Sequence, residues 1–543
     1  MALRLWLGNA GSGKSHLLYE EVIREAKLHP ERNYIFLVPE QYSLQAMRDL
    51  VMLHPDGGMI NIDILSFNRL SYRVFEEVGF AKAPGLLIDD MGKNLILRHL
   101  ATAQEGNLKV IGRSLKRLGT ITEIKSVISE FMQYGVDEKA IGLLQEKCRQ
   151  NNRRLLSEKL DDIACLYSAF RNYISEKYTT TEELLSTVSG ILPDSKKLAD
   201  SVIVLDGFTG FTPVQYNLIQ ALLKHCIDVH VSVLLDTNAG TGLPAEEQEL
   251  FYLSGKTIRE CRHLAQSAGV EVLPDMVIRD EIPRRFAAKK PPMLIHLEKN
   301  LFRENAQTGG PEEVMPGTKG EWAGDIQILT AANPLDEMSY VALKIRELVR
   351  DHGYRYKDIA VVSADPETYM YAARRAFTRH EIPFFVDKKQ PVLQNPFIEY
   401  LRSIMRILTE NGSHEAVFSY LRSSMLPIGA EDIDLLENYC LACGIRTKKQ
   451  WMNRFLKRPS FVSEEDLQKL DRLREEIISP FSIFDTAGTV RDYCICLYRM
   501  MTLVNAQQQI EERRKAFAAR GEDVRAKEYD LIYPAVIRLL EKL

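Results

Sequence analysis

Gly8-Asn9-Ala10-Gly11-Ser12-Gly13-Lys14-Ser15 lies between the apolar run Leu3-Arg4-Leu5-Trp6-Leu7 and a stretch of helical period over residues 14–27. The octapeptide meets the pattern G-x-x-x-x-G-K-[ST] at every fixed position. Gly8, Gly11 and Gly13 let backbone N–H groups turn inward around an anion without Cβ clashes. Lys14 reaches the β and γ phosphates of a nucleotide, Ser15 offers an oxygen to Mg2+, and the following helix points its positive end at the phosphates. Downstream, Tyr34-Ile35-Phe36-Leu37-Val38 reads as a buried parallel strand ended by Pro39, and Ile60-Asn61-Ile62-Asp63-Ile64-Leu65 as another. Strand, glycine loop, helix and strand in this order predict an α/β domain built on a parallel sheet.

A phosphate loop needs an acid at the end of a neighbouring strand to hold its metal. Val202-Ile203-Val204-Leu205-Asp206 supplies Asp206, the alternative being a turn cap. The next residue is Gly207, where helicase-type ATPases carry a second acid that polarises the attacking water. Nucleotide binding with negligible hydrolysis is therefore expected. Lys14 and Asp206 stand 192 residues apart, and residues 89–189 between them contain no proline. Apolar side chains there recur at helical spacing, as in Ile121 and Ile124, or Leu166, Tyr167 and Phe170. A helical insertion over 86–194 thus divides a first P-loop domain made of 1–85 and 195–295. Residues 237–325 are turn-rich, with Thr308-Gly309-Gly310-Pro311 and Pro316-Gly317 as the linker candidate. A second α/β unit is expected over 296–400, with strands at 326–329, 359–362 and 384–386. Residues 401–543 read as helical and end without a cap or stop signal, as a truncated insertion does.

Composition excludes several classes. The 543 residues are 45% hydrophobic and 27% charged, the make-up of an ordinary globular chain of several domains. A net charge of −4 removes a basic footprint over the whole molecule but allows a locally positive lining. No apolar run reaches a membrane span of ~18 residues. Eight cysteines without a secretory segment point to reduced thiols in the cytoplasm. Cys440, Cys443, Cys494 and Cys496 form two close pairs, yet their apolar helical surroundings favour core thiols over a metal site. The densest cationic patch, residues 446–458, interleaves Lys448, Lys449 and Arg454 with Trp451 and Phe455. Two readings stand: a stacking platform for single-stranded nucleic acid, or an amphipathic helix with its aromatic stripe in the core.

A helical insertion between Lys14 and Asp206 is similar to that of superfamily 1 DNA helicases. Val38-Pro39-Glu40-Gln41 and Ser66-Phe67-Asn68-Arg69-Leu70 then fall where such helicases place strand-end loops that touch DNA, which makes Phe67 a candidate contact. More narrowly, the chain resembles the B subunit of AddAB-type ATP-dependent helicase–nucleases. The likeness is carried by the glycine loop, Leu37-Val38-Pro39-Glu40-Gln41, Leu65-Ser66-Phe67, Leu205-Asp206-Gly207-Phe208, His296-Leu297-Glu298 and Phe385-Val386-Asp387-Lys388-Lys389. The resemblance implies a superfamily 1 helicase-like fold with two RecA-like domains carrying large helical insertions. It implies ATP and Mg2+ held by Gly8, Gly11, Gly13, Lys14, Ser15 and Asp206, with no catalytic residue of this chain assigned. It further implies a heterodimer with an active A subunit, scanning of single-stranded DNA in double-strand-break repair and recombination, and a C-terminal nuclease with an iron–sulfur cluster that maps to no residue here. The rival reading is an independent P-loop NTPase motor or nucleotide kinase, which needs its own second acid and an arginine finger, for which Arg303 is the candidate.

Overall fold

The computed structural model describes residues 1–58, 60–79, 86–115, 117, 119–175, 178–237, 243–279, 292–303, 326–386 and 392–543. They form two compact units, Met1–Leu329 and Thr330–Leu543. The linker candidate, the basic residues Arg284, Arg285, Lys289 and Lys290, and Asp387-Lys388-Lys389 lie outside the described residues.

The first unit is α/β. Its strands are β1 (Ala2–Gly8), β2 (Asn33–Leu37), β3 (Ile62–Leu65), β4 (Leu86–Ile88), β5 (Tyr178–Thr180), β6 (Ser201–Leu205), β7 (Asp228–Leu234), β8 (Glu271–Val272) and β9 (Met276–Ile278). The main sheet runs β3-β2-β6-β7-β1-β8, with β9 also on β1, and every ladder is parallel. Alternate side chains separate the two faces. Leu3, Leu5, Leu7, Ile35, Leu37, Ile203 and Leu205 enter one core. Trp6, Tyr34, Phe36, Val202 and Val204 enter the other, against Leu18, Tyr19, Val22 and Ile23 of helix Lys14–Leu28. β8 and β9, in a region read from sequence as turn-rich, are too short to leave a pattern and exist through their pairing with β1.

The expected helical insertion has its own core, which includes Leu97, Ile121, Ile124, Ile128, Leu166, Tyr167 and Phe170. The parallel pair β4–β5 closes its base. Buried Asp162 accepts the N–H groups of Lys109, Val110 and Ile111 at 2.8, 2.8 and 2.9 Å, which ties a long connection to helix Arg154–Ile174.

The second unit departs from expectation. Helices Pro334–His352 and Pro366–Arg379 pack through Met338, Ala342, Ile345, Ala372, Ala376 and Phe377. No strand forms at 326–329, 359–362 or 384–386, and Ile328, Val362 and Phe385 are almost fully exposed. A strand takes its hydrogen bonds from neighbouring strands, and these three apolar runs have none among the described residues. From Pro396 onward the unit is helical as expected, around a core rich in Phe397, Tyr400, Tyr420, Tyr439 and Met500.

One partly buried group gives the first unit a pH signature. His230 on β7 lies in register with Arg4, and its Nδ1 accepts the Trp6 indole N–H at 3.4 Å. Burial, reinforced by Arg4, holds the imidazole down to about 4, against an ordinary 6.5. The unfolded chain therefore binds the extra proton first, and stability falls as pH drops through this window. The loss should reach about 2–3 kcal/mol between neutral pH and pH 4. Urea midpoints of the first unit across that range should show it, and His230→Gln should flatten the profile.

Candidate functional site

The carboxyl ends of parallel strands share one edge of a sheet, where α/β proteins hold their ligands. Here that edge gathers the glycine loop after β1, Val38-Pro39 after β2, Ser66-Phe67 after β3, Asp206 after β6 and Thr237 beyond β7. The loop is pinned at its start. Gly8 O accepts the Leu235 N–H at 3.1 Å, and Asn9 Oδ1 accepts the Thr237 N–H at 3.3 Å. Gly11 and Gly13 stand at φ 73° and 82°, in the left-handed region that glycine adopts without strain. No side chain caps helix Lys14–Leu28 at Gly13, and its first turn holds no acid, so its positive end is available to an anion.

The cradle fits a phosphate. A Cβ at Gly8 would stand 2.7 Å from Ser12 Oγ. Ser12 is buried, and its hydroxyl has no hydrogen-bond partner among the described residues. A buried unpaired hydroxyl costs about 1–3 kcal/mol, which a ligand oxygen relieves. Burial draws the Lys14 ammonium below its ordinary pKa, and the Asp206 charge opposes that shift.

Asp206, 3% exposed, is held at three points. Its N–H donates to Leu37 O at 3.1 Å, Oδ1 accepts Ser15 Oγ–H at 3.1 Å, and Oδ2 accepts Tyr19 Oη–H at 3.0 Å. Serine and aspartate are thus adjacent, as a shared Mg2+ requires. Burial and the Asp206 charge push the Tyr19 phenol well above its usual pKa, so it stays a donor. Sequence reasoning missed Tyr19. The signal was its place four residues after Ser15, on the same helix face. Gly207 has φ 80°, and a Cβ there would touch Pro39 Cδ at 3.5 Å. Arg303, the finger candidate, is paired with Asp236 at 3.0 Å and lies over the Phe251 ring at 5.0 Å.

A cavity of about 330 Å³ opens where the ends of β2, β3 and β6 meet the helical insertion. Phe67, first residue of the helix that Ser66 caps, lines it with Phe208, Pro39, Glu40, Gln133 and Glu182. Phe67 packs on Phe208 at 5.4 Å, and Phe208 on Phe211 at 5.1 Å. Glu40 accepts from Asn68 Nδ2 at 3.0 Å. Glu182 is bound by Lys93, itself 2% exposed, at 2.8 and 2.9 Å. The lining contains no lysine or arginine, so it suits an aromatic, hydrogen-bonding group better than a phosphate. Gln133 and Glu182 lie in the insertion, and no sequence signal linked them to the loop.

In the second unit, Trp451 and Phe455 are 3% and 4% exposed. Their rings are 6.0 Å apart and pack on Phe418 and Tyr439. Stacking with a base needs an open ring face, so this geometry matches the core stripe. Lys448, Lys449 and Arg454 are at the surface, with Lys448 3.6 Å from Asp485 and Arg454 3.2 Å from Asp471. Cys440 is buried and its thiol pushed up to about 12, while Cys496 donates to Ile483 O. Among the described residues, no three His, Cys, Asp or Glu side chains gather as metal ligands.

The family model described as "ADDB, N-terminal" matches residues 5–298. The B subunit of the ATP-dependent helicase/deoxyribonuclease of Lachnoclostridium phytofermentans is 35% identical over 554 residues, covering 100% of this chain and 47% of the relative. The proteins of the same name from Heliobacterium modesticaldum and Clostridium tetani are 32% and 30% identical over 100% of this chain, covering 45% and 47% of those relatives. The chain spans about half the length of the curated relatives it matches.

Two substitutions check the site as described. Gly207→Glu should cost about 1–2 kcal/mol through its left-handed backbone and produce no ATPase, as read by melting and phosphate release. Trp451→Ala should destabilise the second unit by about 3–5 kcal/mol and leave affinity for single-stranded DNA unchanged.

Proposed function

The chain belongs to the ADDB family, whose curated members are named as the B subunit of an ATP-dependent helicase/deoxyribonuclease, and on that premise we propose that it holds MgATP without turning it over and reads single-stranded DNA. The observation that carries the proposal is the Ser15–Asp206 hydrogen bond beside a left-handed Gly207. Groups that hold a triphosphate are kept together, and the position that should carry a water-polarising acid is a glycine. In this reading Lys14 pairs with the β and γ phosphates, the glycine-loop N–H groups and Ser12 surround them, and Ser15 with Asp206 hold the metal. Bound Mg2+ neutralises phosphate charge. The nucleotide site then stabilises the first unit by mass action.

The cavity at Phe67 and Phe208 is proposed as the base-reading element. Its aromatic, amide and carboxylate lining, with Glu40 and Glu182 and no lysine or arginine, supports contact with bases, while phosphates are left to basic surface elsewhere, Lys448, Lys449 and Arg454 among it. The proposed fold is superfamily 1 helicase-like with two RecA-like halves. The separation of β1 from β6 by β7 alone supports the first half. The helix-then-apolar-run rhythm from Pro334 supports the second. The naming of the relatives as one subunit of an enzyme supports a heterodimer with a helicase–nuclease A subunit, acting in DNA repair and recombination. Free thiols at all eight cysteines support a cytoplasmic setting, and no helix among the described residues is long and apolar enough to cross a membrane.

Calorimetry should find MgATP binding by the chain and a marked loss in Lys14→Ala, with negligible DNA-stimulated phosphate release from either. Brisk DNA-dependent turnover abolished by Lys14→Ala would replace this reading with the independent motor. Phe208→Leu, which keeps the apolar packing but removes the half-buried ring of the cavity wall, should weaken single-strand binding by about 1–3 kcal/mol, while Phe67, 6% exposed and within the core, only packs against that ring. An unchanged affinity would remove the cavity from the DNA path.

A further inference from the structure

We infer that Tyr19 is a positioning residue, its buried hydroxyl fixing Asp206 as a metal-holding carboxylate turned toward Ser15. The inference rests on the nucleotide-site reading and adds to it a group outside the phosphate-loop pattern. Tyr19 is 4% exposed, and its ring meets that of Phe36 edge-on, at 5.2 Å and 83°. Phe36 lies on β2, next to the β6 strand that ends at Asp206. The ring is thus wedged between its own helix and the sheet, and its hydroxyl reaches Asp206 Oδ2 at 3.0 Å. Ser15 takes the other oxygen at 3.1 Å.

An ionised aspartate has two equivalent acceptor oxygens and turns about its last bond unless something holds it. The phenol removes that freedom. With a permanent donor on Oδ2, only Oδ1 remains directed at Ser15, where the metal is to be shared. The same donor also favours the ionised form of Asp206, the form that holds a metal. Groups that orient a metal-binding carboxylate by hydrogen bonding typically change metal affinity by about 10–100-fold when removed.

The test is ATP affinity of the full chain, measured by calorimetry with and without Mg2+. Tyr19→Phe keeps the ring and its packing on Phe36, so the variant should melt close to the wild type. Its Mg2+-free ATP affinity should be unchanged, whereas the gain in affinity on adding Mg2+ should shrink by about 10-fold or more. In an Asp206→Asn background, Tyr19→Phe should have no further effect, because the phenol acts through that carboxylate. An undiminished Mg2+ gain in Tyr19→Phe, an equal loss with and without the metal, or a loss that persists in Asp206→Asn would each overturn the inference while leaving the nucleotide site standing. A wild-type chain that binds no ATP would overturn both.

Discussion

Two parallel ladders onto β7 set the geometry on which the site depends. Gly8 of β1 lies opposite Leu234, and Leu205 of β6 lies opposite Val231. Parallel strands release their loops along one edge, so the phosphate loop and Asp206 emerge side by side with a single strand between them. Each ladder hydrogen bond contributes only about 1 kcal/mol, but the register they impose together is all-or-none. A slip of one residue in β6 would send Leu205 to the face of Val204 and turn Asp206 away from Ser15.

What that register delivers is a buried aspartate held between two hydroxyl groups. Asp206 meets a backbone carbonyl on one side and hydroxyl groups of Ser15 and Tyr19 on the others, so its charge is oriented with no freedom left. Gly207 then turns the chain through a left-handed conformation against Pro39, and Phe208 follows directly into the cavity wall. Asp206 and the cavity wall therefore share one stretch of three residues.

The second unit shows how far one pattern can serve two structures. Trp451 and Phe455, spaced i, i+4 among lysines and arginines, suit a nucleic-acid platform and a core-facing stripe equally. Neighbours remote in sequence decide between them: Phe418 and Tyr439 cover the rings, and the cations are left outside. The apolar runs at 326–329, 359–362 and 384–386 show the reverse case. Their composition suits strands, but a strand exists only where another strand receives its hydrogen bonds.

Residue order alone determined the glycine loop between strand and helix, the acid at Asp206, the glycine after it, the buried strands β1, β2 and β6, and the helical character of the stretch between β3 and β6. Each is written in neighbours a few positions apart, where backbone freedom, apolar period and side-chain chemistry act locally. Tertiary structure decided the rest. It brought Tyr19 and Ser15 onto Asp206 across nearly two hundred residues, drew Gln133 and Glu182 of the insertion beside Phe67, and added β8 and β9 to the edge of β1. It also formed no sheet among the described residues of the second unit and buried Trp451. These outcomes turn on which distant surfaces meet, and that follows from packing and strand register over the whole fold rather than from any local preference of the chain.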